Sequence, residues 1–340
     1  MLLPRTRITA QGLTHIKKLV NLRRLDLTGR PLTDDSLESL KELTRLKDVT
    51  FNSTGLTGNG LKHLAGSSRT LERIDLTGGN MGDEGLMHLK NCERLRKLEL
   101  SSGHITDRGI LELSKCSDLE FLCLANANVS ATGLAVFEKC ENLSVINLTG
   151  VKLDPAATCR FRGSKRLSAL YFPGSSIDDA GLASFANLKG LYELDVNGTS
   201  ITDAGLIHFS ENTQLAKLSL SGTKISDKGV AAFAKCHAMH FVNLRNTDAG
   251  DLWLKHLKNC PKLRELHLQG TRLTDDGLGA LADHPALEML HISNTAISDT
   301  GLEHLKGCKA LSQLHIKNTK VTPEGVERFR KQHPKCGIEQ

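Results

Sequence analysis

The chain has 340 residues, more than one core usually organises, yet aromatics make up only 4% of it and no change of composition marks a boundary. No apolar stretch approaches the roughly 20 residues that cross a bilayer, and Pro4, Arg5 and Arg7 interrupt the first ten residues, where a signal peptide needs an apolar run. The net charge of +6 sits at one end, where Arg5, Arg7, Lys17, Lys18, Arg23, Arg24 and Arg30 oppose only Asp26. The remainder is balanced and its basic residues lack interleaved aromatics, so nucleic acid is not the expected partner.

The organising feature is a period of about 24 residues. The pattern L-x-x-L-x-L, with conservative variants, begins at Leu22, Leu46, Leu71, Leu95, Leu119, Leu143, Leu167, Leu191, Leu215, Met239, Leu263, Leu287 and Leu311. Such self-similarity is the signature of a solenoid. With the first Leu as position 1, the unit 191–214 shows the grammar. Leu191, Leu194 and Val196 stand at 1, 4 and 6, Thr199 at 9, Ile201 at 11 and Asp203 at 13. Gly205 and Leu206 follow at 15 and 16, and Phe209 at 19. Positions 1 to 6 alternate as a short strand whose positions 2, 3 and 5 face solvent. Positions 16 and 19 share one face of a short helix. An acid or hydroxyl just before them, such as the recurrent Asp at 13, can accept N–H groups of the first helical turn. Thr at 9 recurs at Thr199, Thr223, Thr247, Thr271, Thr295 and Thr319, and is expected to satisfy turn amides of neighbouring units. One unit cannot bury its own apolar stripe, but stacked units share a core. The expected fold is therefore an α/β right-handed βα solenoid, with a parallel sheet on its concave face and short helices on its convex face. It forms a single domain of residues 1–340. Residues 1–21 are a truncated first repeat, 22–334 are thirteen repeats and 335–340 are a C-terminal cap.

In chain order, the first repeat begins mid-strand. Leu3, Thr6, Ile8, Gly12, Leu13 and Ile16 fall at positions 6, 9, 11, 15, 16 and 19 of a unit whose first three positions would precede Met1. Because terminal repeats need a polar cap, an upstream segment or a partner is expected here, with the local basic charge as its contact; a frayed, solvated end fits equally. Repeats 1 to 4 place charges of both signs outward, and cross-strand pairing can neutralise them. Repeats 5 to 8 instead present Phe121, Cys123, Val145, Tyr171 and Tyr192, with Glu193 and Asp195 adjacent and Phe241 two repeats on. Outward aromatics with a charged rim suit a contact surface, although ordinary drift of the repeat also produces them. Trp253, the only Trp, replaces the usual Gly at position 15 and is expected to fill a packing gap.

Histidine recurs in two ways. His15, His63, His88, His208, His256 and His304 all take position 18 and belong to the repeat itself. His267, His291 and His315 take position 5 in three consecutive repeats, which stacks them about 4.8 Å apart along the sheet, with His240 beside the row. Such a ladder can hold a metal or repel itself as it gains charge on acidification; three solvated polar side chains are the plainer reading. The Cys236–His240 segment lacks a second ligand pair, so no metal is expected. At the C-terminus Pro334 stops the last helix, and Cys336 and Ile338 can form a closing strand.

The openings at Cys92, Cys116, Cys140, Cys236, Cys260 and Cys308, each reading C-x-x-L or C-x-x-M, and the turns from Ile105 to Ile110 and Ile201 to Leu206, reading I-T-D-x-G-I/L, resemble the leucine-rich-repeat superfamily. The likeness is to its ribonuclease-inhibitor-like, cysteine-containing group. The 24-residue step, and Thr at 9 where that group has a second Cys, are closer to bacterial proteins of the planctomycete type. The resemblance covers essentially the whole chain and implies a leucine-rich-repeat horseshoe. Eukaryotic relatives include F-box proteins, but no F-box segment is present. Nine cysteines, six of them periodic, read as buried thiols of a reducing, cytoplasmic compartment.

No G-x-S-x-G, phosphate-cradling loop, H-E-x-x-H or C-x-x-C occurs, so neither an enzyme nor a cofactor is expected. The function expected is a non-catalytic module that binds a protein partner through the concave face. Candidate contacts are Phe121, Cys123, Val145, Tyr171, Tyr192, Glu193, Asp195, Phe241, His267, His291 and His315. The alternative is the sensor or recognition part of a larger signalling protein or enzyme, such as a kinase, with an N-terminal domain absent here.

Overall fold

In the computed structural model, which describes residues 9–186 and 188–340, the chain divides into two compact units, residues 1–167 and 168–340. Leu3, Thr6 and Ile8 of the first repeat lie outside the described residues. Unit 1 contains β1 (Arg24–Asp26), β2 (Asp48–Thr50), β3 (Arg73–Leu76), β4 (Lys97–Ser101), β5 (Phe121–Ala125) and β6 (Val145–Asn147), paired in parallel in chain order. Unit 2 contains β7 (Ala169–Tyr171), β8 (Glu193–Asp195), β9 (Lys217–Ser219), β10 (Phe241–Asn243), β11 (Glu265–His267), β12 (Met289–His291), β13 (Gln313–His315) and β14 (Gly337–Glu339). These too pair in parallel and in order. Each unit is thus a βα solenoid, every strand supplied by one repeat and in register with the next.

The strands are short because position 8 turns the chain into the left-handed region, at φ +66° for Gly198 and +54° for Asn246. Gly and Asn dominate this position because they tolerate that conformation. The position-8 amide then donates to the next repeat, Gly198 to the Ser221 carbonyl at 2.7 Å and Asn246 to that of Gln269 at 2.8 Å. Inter-repeat bonding therefore continues past the end of the strand.

Opposite the strands lie one or two turns of α or 3-10 helix, as in Asp203–Leu206 followed by Ile207–Phe209. Between the layers, Leu191, Leu194, Val196, Ile201, Leu206 and Phe209 are all fully buried. At roughly 1.5–3 kcal/mol each, such side chains supply most of a repeat's stabilisation. The closing strand expected at the C-terminus is β14, which follows the helix Pro323–Gln332 and pairs with β13.

One expected polar contact is narrowed and one is corrected. Of the acid or hydroxyl expected to cap the helix, the group that does so is the side chain at position 12, a hydroxyl in Thr202, which accepts the Ala204 N–H, and a carboxylate in Asp154, which accepts the Ala157 N–H. The Asp at 13 reaches instead into the following repeat. Asp179 accepts the Thr202 N–H at 2.9 Å and its hydroxyl at 2.6 Å, and Asp83 holds Thr106 in the same way. Glycine at 15 leaves room for this carboxylate, since a Cβ on Gly277 would lie 2.0 Å from Asp251 Oδ1. The position-9 hydroxyls, expected to serve neighbouring amides, donate within their own repeat, Thr199 to the Val196 carbonyl at 2.6 Å and Thr271 to that of Leu268 at 2.7 Å. Short side chains three residues past a carbonyl reach it before they reach another repeat.

The six periodic cysteines are buried, and all nine cysteines are free thiols. Cys116 donates to the Cys92 carbonyl and Cys140 to that of Cys116, both at 3.4 Å. Burial pushes the Cys92, Cys116 and Cys260 thiols up to about 12, which removes them from nucleophilic chemistry near neutrality. Trp253 fills a gap as expected: it is fully buried, 5.7 Å from Phe233 between ring centroids, and its indole N–H donates to the Ser226 carbonyl at 2.9 Å.

Candidate functional site

On the strand face of unit 1 the expected charge pairing is present. Arg24 lies 3.7 Å from Asp48, Lys97 lies 2.8 Å from Glu99, and Lys47 pairs with Glu72. The Phe121 ring is half-buried beneath the Lys97 ammonium, 4.3 Å from its centroid, and Val145 is its half-buried neighbour in register. Cys123 is a correction. Expected to face outward, it is buried: its short side chain stands in register between Glu99 and Asn147, and its thiol donates back to the Leu100 carbonyl at 3.7 Å.

The remaining candidates belong to unit 2. The half-buried Tyr171 donates its phenol to Glu193, and burial together with that carboxylate pushes the phenol well up. Glu193 also has Lys217 at 3.4 Å. Tyr192 is 45% exposed, and its hydroxyl lies 2.9 Å from His240 Nε2. Burial, reinforced by Lys217 and Arg264, lowers the affinity of His240 for a proton. Asp195 is half-buried and accepts the Asn197 N–H at 3.0 Å. Burial is the largest influence on its carboxyl and, with Glu193, pushes it above the usual carboxylate range.

Further along, side chains at positions 3 and 5 form a continuous aromatic column. Phe241 lies 5.5 Å from His267 between centroids. His267 stacks on His291 at 4.3 Å and 11°, and His291 on His315 at 3.8 Å and 9°. The strands bring the three histidines into register, and the rings lean together to less than the strand spacing of about 4.8 Å. The two outer rings meet carboxylates, His267 with Glu265 and His315 with Glu339, each at 2.5 Å. The middle ring meets none. His291 Nε2 is buried without a partner, and burial, with the flanking His267 and His315, pushes its pKa down to about 4. Among the described residues, no group of three or more His, Cys, Asp or Glu side chains is arranged to hold a metal ion.

Beside this column runs an open groove of about 670 Å³, whose lining includes Asp195, Lys217, Phe241, Arg264, Glu265 and Met289. Phe241 and Met289 are its half-buried apolar surface. Arg264 pairs with Glu288 at 3.3 Å along one edge. The sequence reading singled out Phe241 and the histidines but missed Arg264, Glu265, Glu288, Met289 and Glu339. A signal was present, because positions 3 and 5 of one strand share a face, so Glu265 had to stand beside His267.

A family model described as Leucine rich repeat matches residues 261–321. One described as BspA type Leucine rich repeat region matches residues 152–251, and a further Leucine Rich repeat model matches 67–90 and 91–114. No curated protein matches the sequence. Among solved structures, an internalin of Listeria monocytogenes is similar at a TM-score of 0.73 and 19% identity, over 98% of this chain and 89% of the other. A leucine-rich-repeat protein of Leptospira interrogans gives 0.60 and 15%, over 98% and 99%. The plant peptide hormone receptor RGFR1, solved in complex with RGF2, gives 0.56 and 15%, over 96% and 60%. At these identities the likeness is one of fold.

Proposed function

We propose that this chain, a member of the leucine-rich-repeat superfamily, is a non-catalytic interaction module that docks a protein partner on the strand face of unit 2. One observation carries the reading: the open groove there holds half-buried Phe241 and Met289 beside the exposed Tyr192. Large apolar side chains at outward positions have no role in the solenoid, whose core is closed by positions 1, 4, 6, 11, 16 and 19. They do suit the anchors of a protein interface. The structurally similar plant receptor was solved with a peptide hormone, which is in keeping with a protein or peptide ligand. The periodic cysteines favour the cysteine-containing, ribonuclease-inhibitor-like group, and nine free thiols favour a reducing compartment such as the cytoplasm. No described helix is long and apolar enough to cross a membrane.

The test is a pull-down from native lysate with wild type and with a Tyr192→Ser/Phe241→Ser variant that keeps its circular dichroism and melting temperature. Partners lost only from the variant support docking on this face. Equal recovery by both proteins overturns it.

A further inference from the structure

The charges of the groove point to its occupant, an inference that rests on the docking reading above. Four carboxylates line the groove, Glu193, Asp195, Glu265 and Glu288, against the permanent cations Lys217 and Arg264. Two of the four are answered by permanent cations, Glu193 by Lys217 and Glu288 by Arg264, and Glu265 shares a hydrogen bond with the His267 ring. Asp195 is the exception. Its side chain has the Asn197 N–H, and no cation stands within ion-pair distance of it among the described residues. A half-buried carboxylate without a counter-charge is costly, and a ligand's ammonium or guanidinium offsets that cost through a charge-assisted hydrogen bond.

The spacing adds a register. Asp195 is on β8, Phe241 on β10 and Met289 on β12, so consecutive members are two strands apart. At about 4.8 Å per strand that is roughly 10 Å, which a peptide in the polyproline II conformation spans in one turn of three residues at about 3.1 Å each, so that every third side chain faces the groove. A segment with Lys or Arg, then an apolar residue three further on, then another three after that, matches all three positions.

We propose that the groove holds a basic–apolar segment of a protein partner, with its Lys or Arg on Asp195 and apolar side chains on Phe241 and Met289.

The probe is a phage-displayed random peptide library of roughly twelve residues, selected on the full chain near pH 7.4. Selected sequences are then titrated as labelled synthetic peptides. We expect Lys or Arg enriched three residues before an apolar residue. Asp195→Asn should weaken binding about tenfold, in the range of a truncated charge contact. Selected peptides without basic residues, or binding unchanged by Asp195→Asn, would each overturn the inference. If peptides lacking basic enrichment are still lost from Tyr192→Ser/Phe241→Ser, the docking surface stands and only the inference falls. A library yielding no peptide sensitive to that double variant overturns both.

Discussion

In unit 1, cations on the strand face meet carboxylates of the same or the next repeat: Arg24 with Asp48, Lys47 with Glu72, Lys97 with Glu99 and Arg96 with Glu120. Asp26 and Asp75 share a hollow with Arg24 and Arg73. In unit 2 the equivalent position carries Asp195 beside Tyr171 and Glu193, then the imidazole column, with Phe241 and Met289 open to the groove. Both units have the same interior. Leu98 and Leu266, at position 4 of their strands, are equally and fully buried. The difference shows that the repeat dictates positions that close the core and leaves positions 2, 3 and 5 free. Where those free positions cease to neutralise one another and gather aromatic surface, the scaffold offers no reason for it, and ligand binding becomes the best account.

That separation of scaffold from face can be broken most forcefully through the core. Leu98→Ala in unit 1 and Leu266→Ala in unit 2 should each cost about 2–5 kcal/mol, the range for deleting a buried leucine side chain. Local hydrogen exchange is the suitable readout, because repeats contact only their neighbours and open in segments. If one unit proved far more tolerant than the other, the premise of a common scaffold would be wrong. Next in size are the inter-repeat carboxylates. Asp83→Ala and Asp275→Ala each strand an N–H and a hydroxyl of the following repeat. Each should cost about 1–3 kcal/mol by the same measure, again alike in the two units.

These two classes were unequally legible in the sequence. Leu98 and Leu266 could be assigned to the core because the apolar period alone places them there. Asp83 could be recognised as recurrent but not given its role: its partner Thr106 is 23 residues away, and a period records that two residues recur together without saying which atoms meet. The left-handed turn at position 8 was hidden for a related reason, since Gly198 and Asn246 look unlike and share only a tolerance of positive φ. On the face, recurrence at position 5 exposed His267, His291 and His315. Nothing periodic marked Arg264, Glu288 or Met289, because solvent-facing positions vary freely from repeat to repeat. Cys123 was misplaced because strand alternation gives the direction of a side chain but not whether its neighbours cover it.

A smaller effect sharpens the contrast in pH response. The folded value of His291 lies near 4, against about 6.5 for a free imidazole. Between those values the unfolded chain takes a proton that the folded chain refuses, so stability is lost as pH falls through this window and is unaffected above it. For a half-exposed ring the loss should be about 1–2 kcal/mol after solvent screening. His291→Phe keeps a ring in the stack and cannot take a proton. Its stability relative to wild type should therefore rise by that amount between pH 7 and pH 4.5, measured by denaturant unfolding at each pH. A difference that stays constant over this range would show that the central ring is not shielded from protonation. Comparing variant with wild type also removes the same-signed contributions of His240 and the buried His284.

The smallest effect is expected in unit 1, and it tests what its ion pairs are for. Arg24 and Lys47 are well exposed, so the attraction to Asp48 and Glu72 is screened and opposed by the entropy of ordering long side chains. Arg24→Ala and Lys47→Ala should each change stability by less than about 1 kcal/mol, with the difference shrinking further at high salt. The thermal midpoint at two ionic strengths decides it. A loss of several kcal/mol would make these pairs part of the scaffold, and the contrast between the two faces would then be one of stability. A small, salt-sensitive change leaves them as mutual neutralisation. In that case the groove that joins Asp195 to the apolar Phe241 and Met289 is the feature that distinguishes unit 2.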